Sequence, residues 1–155
     1  MKKLVACCFL SLLVTASVNA FGREPQREIM GLRLGMSKVA AHQQLQKIGR
    51  LEREERKRQE VWEVRDPRFS HIIVGFDKGT QIRFVTAVAR EDSQQRMRYR
   101  DVADLTKARQ VGDIAIKNYH YVWELAARGK EPKSFIVVRG RDPEYLTTYS
   151  IKRAE

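Results

Sequence analysis

Side chains that can hold a metal, move a proton or attack a substrate are few in this chain, and they are scattered. The three histidines, His42, His71 and His120, stand in three separate segments. A zinc site needs ligands converging at about 2 Å from the metal, and no pair of these histidines has short metal-ligand spacing. Ser37, Ser70, Ser93, Ser134 and Ser150 lie in no Gly-x-Ser-x-Gly elbow. Glu63 and Glu124 each follow a tryptophan. Two carboxylates can divide acid and base work, but positions that recur in a repeat share a structural task. Gly31 to Gly35 lacks the Lys-Ser/Thr and the preceding strand of a phosphate loop. No catalytic constellation forms, so the expectation is a non-enzyme without cofactor or metal.

The first twenty residues read as a targeting segment. Lys2 and Lys3 are basic, Leu4 to Val18 are apolar or small, and Val18-Asn19-Ala20 carries small side chains where a signal peptidase reads. Cleavage is expected after Ala20, with export to the periplasm or the outer-membrane periphery. Leu4-Val5-Ala6-Cys7 also spells a lipidation box, but most of the apolar run follows it rather than precedes it. Cys7 and Cys8 are the chain's two cysteines and both fall in this segment, so the exported part would carry no disulfide. The formal net charge is +11. Export argues against nucleic acid as the partner. It leaves envelope or secreted proteins, anionic lipid and peptidoglycan. The mixed-sign run of Glu52, Arg53, Glu54, Glu55, Arg56, Lys57, Arg58 and Glu60 is expected to solvate a loop or strand edge.

The rest of the chain writes one pattern twice. Ser37 can cap a helix from Lys38 to Ile48, with Val39, Ala41, Leu45 and Ile48 as its apolar stripe and Gly49 ending it in a left-handed turn. From Glu60 the period changes to two. Val61-Trp62-Glu63-Val64, Ile72 to Phe76 and Ile82 to Arg90 read as strands, with Asp77-Lys78-Gly79 as a hairpin turn. After a polar linker, Tyr99 to Val111 predicts a second helix. Ile114 to Ala127, Ser134 to Gly140 and Glu144 to Lys152 predict three more strands. Val61-Trp62-Glu63 aligns with Val122-Trp123-Glu124, and Ile72-Ile73-Val74 with Phe135-Ile136-Val137. The expected fold is α+β, with two helix-plus-three-stranded antiparallel units in tandem, residues 21–92 and 93–155, and helices on one face of the sheet.

Over residues 29–90, the run Gly31-Leu32-Arg33-Leu34-Gly35-Met36-Ser37, the Trp62 strand and Val74-Gly75-Phe76-Asp77-Lys78-Gly79 resemble the SmpA/OmlA (BamE-like) family. That resemblance implies an exported binding or scaffolding module related to outer-membrane assembly accessories. Two copies in tandem resemble the arrangement of the β-lactamase inhibitor proteins.

Helices on one face leave the other free. Trp62 and Val64, with Tyr121, Trp123 and Leu125, are expected on the buried side. The open side is expected to present Ile73, Val85, Val122, Ile136, Val138 and Leu146, bordered by His71, Arg83, His120 and Glu124. An apolar centre with a charged border suits a protein partner. The function expected is an exported protein-binding or scaffold module of the bacterial envelope. A secreted inhibitor of an extracellular hydrolase and a binder of anionic lipid or cell wall are the alternatives.

Overall fold

A computed structural model describes residues 24–55 and 58–154. The expected leader and its cleavage site, and Arg56 and Lys57, lie outside the described residues.

The chain is mainly β, which corrects the expected α+β tandem. One helix, α1 (Lys38–Ile48), is of substantial length. A hairpin of β1 (Glu28–Ile29) and β2 (Leu32–Arg33) turns through Met30 and Gly31, both at positive φ, the pattern of a tight primed turn. The remaining strands are β3 (Gly49–Glu55), β4 (Gln59–Val64), β5 (Phe69–Phe76), β6 (Ile82–Ala89), β7 (Arg109–Gln110), β8 (Tyr119–Leu125), β9 (Ser134–Gly140) and β10 (Thr148–Arg153). They form one antiparallel sheet in the order β3-β4-β5-β6-β10-β9-β8-β7. Each half therefore supplies four strands rather than three, and the halves fuse along β6 and β10 over a single core. The expected division into 21–92 and 93–155 falls in the linker after β6, but it does not separate two sheets.

The expected second helix breaks up. α2 covers only Tyr99–Val102, followed by a 3-10 turn at Leu105–Lys107. Asp104 explains the break, because its carboxylate accepts from the Thr106 backbone N–H and hydroxyl and starts a new turn. Val111 is exposed, not part of a helix stripe. Two smaller expectations also fail. Gly49 is extended (φ −167°), and its small size is needed because a Cβ there would meet the Glu63 carbonyl at 2.1 Å. In the β5–β6 turn the positive φ falls on Thr80 rather than Gly79, with Asp77 Oδ1 accepting from Gln81 N–H.

Register assigns the faces, since opposed residues project to the same side. Trp62 opposes Ile72, Ile72 opposes Ala87, Ala87 opposes Tyr149, Tyr149 opposes Val138 and Val138 opposes Tyr121. On this side lies the core. Ala41 and Leu45 of α1, Ile29 and Leu32 of the hairpin, and Tyr99, Val102 and Ala103 around α2 all pack into it. Val39 instead points to solvent, 70% exposed. Ser37 accepts from Ala40 N–H as a cap should.

Candidate functional site

The opposite face is the candidate site. Its central row runs Val61, Ile73, Thr86, Ser150, Val137 and Val122 across six strands. Val61, Val137 and Val122 are buried yet lie outside the main core cluster. Among the described residues, α1, α2 and the β1–β2 hairpin all pack on the other side. The linker after β6 does not close this face either, since Met97 packs against the core. Phe84 and Phe135 are half-buried in the next row, and both oppose Lys152. Gly75 opposes Phe84, and a Cβ on Gly75 would meet its ring at 2.0 Å. The Arg83 guanidinium lies 5.4 Å from the centre of the Phe84 ring.

Of the ten expected surface residues, the structure brings six together here. His71, Ile73, His120, Val122 and Glu124 share the open face by register, and Arg83 reaches it over Phe84. Val85, Ile136, Val138 and Leu146 do not: all four are buried in the main core. Ile136 opposes Trp123 and Val138 opposes Tyr121, so both belong with the tryptophans. The alignment of Ile72 with Phe135 was one residue short. Ile72 and Ile136 are the equivalent positions, each opposite a tryptophan, and a slip of one residue exchanges the faces. Val85 changes side because a bulge between Gly75 and Phe76 leaves Arg83 without a register partner and places Ile82 and Val85 on the same face. Leu146 precedes β10 and donates its N–H to Met97 O.

The charged residues divide by half. Near β3–β5 they pair among themselves: Arg50 with Glu63 at 2.6 Å, Arg53 with Glu52 at 3.0 Å and Glu55 at 2.8 Å, and His71 with Glu52 at 3.1 Å. Near β8–β10, Arg153 pairs with Asp77, but Arg109, Arg139 and Lys152 have no ion pair among the described residues. His120 directly opposes Arg139, Arg109 opposes Val122 and Lys152 opposes Phe135. Glu124 is engaged by Lys133. The His120 Nε2 atom is buried without a hydrogen-bond partner. Desolvation lowers the His120 pKa, and Arg139, Lys152 and Arg109 lower it further. Lys152 is exposed by area, yet desolvation and then Arg139 lower its pKa too. Sequence pattern missed Arg109, Arg139 and Lys152, which stand far apart in the chain and meet only through register.

Sequence also misplaced Glu60. It is 1% exposed on the core side, not part of a solvated run. Lys38 Nζ at 2.7 Å, His42 Nε2 at 2.8 Å and Trp62 Nε1 at 3.0 Å hold its carboxylate. Burial alone would raise its pKa; the bonds from Lys38, Trp62 and His42 overcome this and keep it below the ordinary glutamate value. A carboxylate held by Lys38 and His42 of α1 and by Trp62 of its own strand clamps α1 to β4. Period two gives the missed signal, because Glu60 falls in phase with Trp62 and Val64. Among the described residues no three His, Cys, Asp or Glu side chains gather as a metal site. Ile114 and Ile116, expected to open a strand, lie instead in an exposed 3-10 turn before β8, near the equally exposed Val111.

Compared with known proteins, the chain matches no family model, no curated protein and no solved structure.

Proposed function

We propose that this chain is an exported, non-catalytic protein-binding module of the cell envelope, and that the open sheet face is its contact surface. One observation carries the reading: α1, α2 and the β1–β2 hairpin all pack on the Trp62 side. The other side is left with aliphatic and aromatic side chains, Ile73, Phe84, Val122, Phe135 and Val137, inside a charged border. Protein interfaces have this composition, an apolar centre within a polar rim. The resemblance to envelope assembly accessories agrees in class, and the basic leader followed by an apolar run supports export.

A photo-crosslinking residue placed at Ile73 or Phe84 tests this in bacteria expressing the chain, with the exposed Val39 on α1 as control. The expected result is one protein adduct from the two sheet positions, absent from the Val39 control and identified by mass spectrometry. Adducts from Val39 alone, or none from the sheet face, overturn the reading.

A further inference from the structure

The two halves of the open face have matching strand order but differently balanced charge. In the β3–β5 half each of Arg50, Arg53 and His71 has a glutamate on the same face. In the β8–β10 half Arg109, Arg139 and Lys152 have no ion pair or side-chain hydrogen bond among the described residues. Arg139 faces His120 across a strand pair with no acid opposite it, and the like charges of Arg109, Arg139 and Lys152, gathered on one face, repel one another. Proteins mostly relieve such repulsion with a nearby acid, as the first half does. Here the one acid of the row, Glu124, is engaged by Lys133. Arg83, over the Phe84 ring, adds a fourth cation on the side of Lys152.

We infer that the β8–β10 half of the face docks an acidic protein segment, whose carboxylates meet Arg139, Lys152 and Arg109 and whose apolar side chain lies against Phe135. This rests on the protein-binding reading above and names the chemistry of the partner. Carboxylates supply the counter-charge that the fold omits, and one of them can accept from the buried, orphaned His120 Nε2. The low pKa of His120 follows from desolvation and from the three unbalanced cations, and an arriving anion removes the second cause. Relief decides between a protein and a bilayer. Arg139 and Lys152 are exposed, while Val122 and Val137 beneath them are 9% and 8% exposed. A protein segment can bring carboxylates to the exposed cations and an apolar side chain to the half-buried Phe135 at the same time, which a plane of head groups does not.

The test is a titration of the isotope-labelled chain, followed by NMR, with a peptide alternating glutamate and phenylalanine. Its glutamine counterpart and phosphatidylglycerol vesicles are the controls. The expected shifts gather at His120, Val122, Phe135, Arg139 and Lys152, and they weaken as salt rises through the range where the screening length falls to about 8 Å. Arg139→Glu with Lys152→Glu is expected to cost at least about tenfold in affinity, and Arg50→Glu less than about twofold. Both variants alter exposed side chains, and the unbound spectrum verifies their fold. Equal losses from both variants, shifts centred on Arg50 and His71, or vesicle binding without peptide binding each overturn the inference. A sheet-face adduct that survives Arg139→Glu with Lys152→Glu sinks the acidic partner alone. Loss of every adduct from Ile73 and Phe84 in the unaltered chain sinks the protein-binding reading with it.

Discussion

Thr86 and Ser150 face each other at the midpoint of the sheet, with their hydroxyl oxygens 2.8 Å apart. The pair marks a pseudo-two-fold axis in the strand pairing. Ile72 and Ile136 are equivalent, hence so are their partners Ala87 and Ile151. The pairs Val85–Ile151 and Ala87–Tyr149 then exchange about Thr86–Ser150. Ser150 is only 5% exposed, so this bond is one of few polar contacts in the open face's floor.

Replacing Thr86 by Val strands the Ser150 hydroxyl. Thr86→Val is expected to destabilise by about 1–2 kcal/mol, and adding Ser150→Ala to recover most of that loss. Urea unfolding of the two single variants and the double variant closes the cycle, with a coupling of at least about 0.5 kcal/mol.

Glu60→Gln leaves a buried site with the Lys38 ammonium and no charge to receive it. A loss of roughly 2–4 kcal/mol is expected. Because the folded carboxyl sits below its ordinary value, its stabilisation is present above the unfolded pKa of about 4.3 and is lost as pH falls through the folded value. Thermal melts from neutral to acid pH should converge for wild type and Glu60→Gln. Asp66, also lowered, titrates in both proteins and cancels in the difference.

Register makes a sharp distinction between two isoleucines on opposite faces of the sheet. Ile136→Ala, in the core, is expected to cost about 2–5 kcal/mol, and Ile73→Ala on the open face under about 1.5 kcal/mol. The two midpoints in a denaturant series decide whether the faces are assigned correctly.

Two glycines yield to substitution differently. The three atoms nearest an added Cβ at Gly75 all belong to the Phe84 ring, so Gly75→Ala should be largely rescued by Phe84→Leu. Alanine at Gly140 meets the Tyr99 hydroxyl at 2.2 Å and also the Tyr145 backbone carbonyl at 2.7 Å. Tyr99→Phe should therefore leave most of a cost of about 1–3 kcal/mol in place, as melting temperatures will show.

Local signals in the sequence located α1 and the strands around the two tryptophans, but not β7 or the break in the second helix. Ser37 capping and the Ala41–Leu45 spacing located α1, and alternation around Trp62 and Trp123 located the buried side. Long-range facts were not legible. Which residue of β9 opposes Trp123 depends on hydrogen bonds between strands, and nothing in Phe135-Ile136-Val137-Val138 distinguishes one phase from the next, since all four are apolar. The bulge at Arg83 likewise has no mark in a run that alternates smoothly from Ile82. The Arg109, Arg139 and Lys152 cluster is a product of that same pairing, so it appeared only once register was known.

β10 follows every other strand in the chain and yet occupies the middle of the sheet. Until Thr148–Arg153 arrives, β6 and β9 are both open edges, with unsatisfied amides and carbonyls beside apolar side chains. An emerging chain therefore holds two four- and three-stranded fragments that invite wrong pairings, including with other copies of themselves. The sheet is therefore complete only once its last strand seals the centre, not when a strand is added at an outer edge.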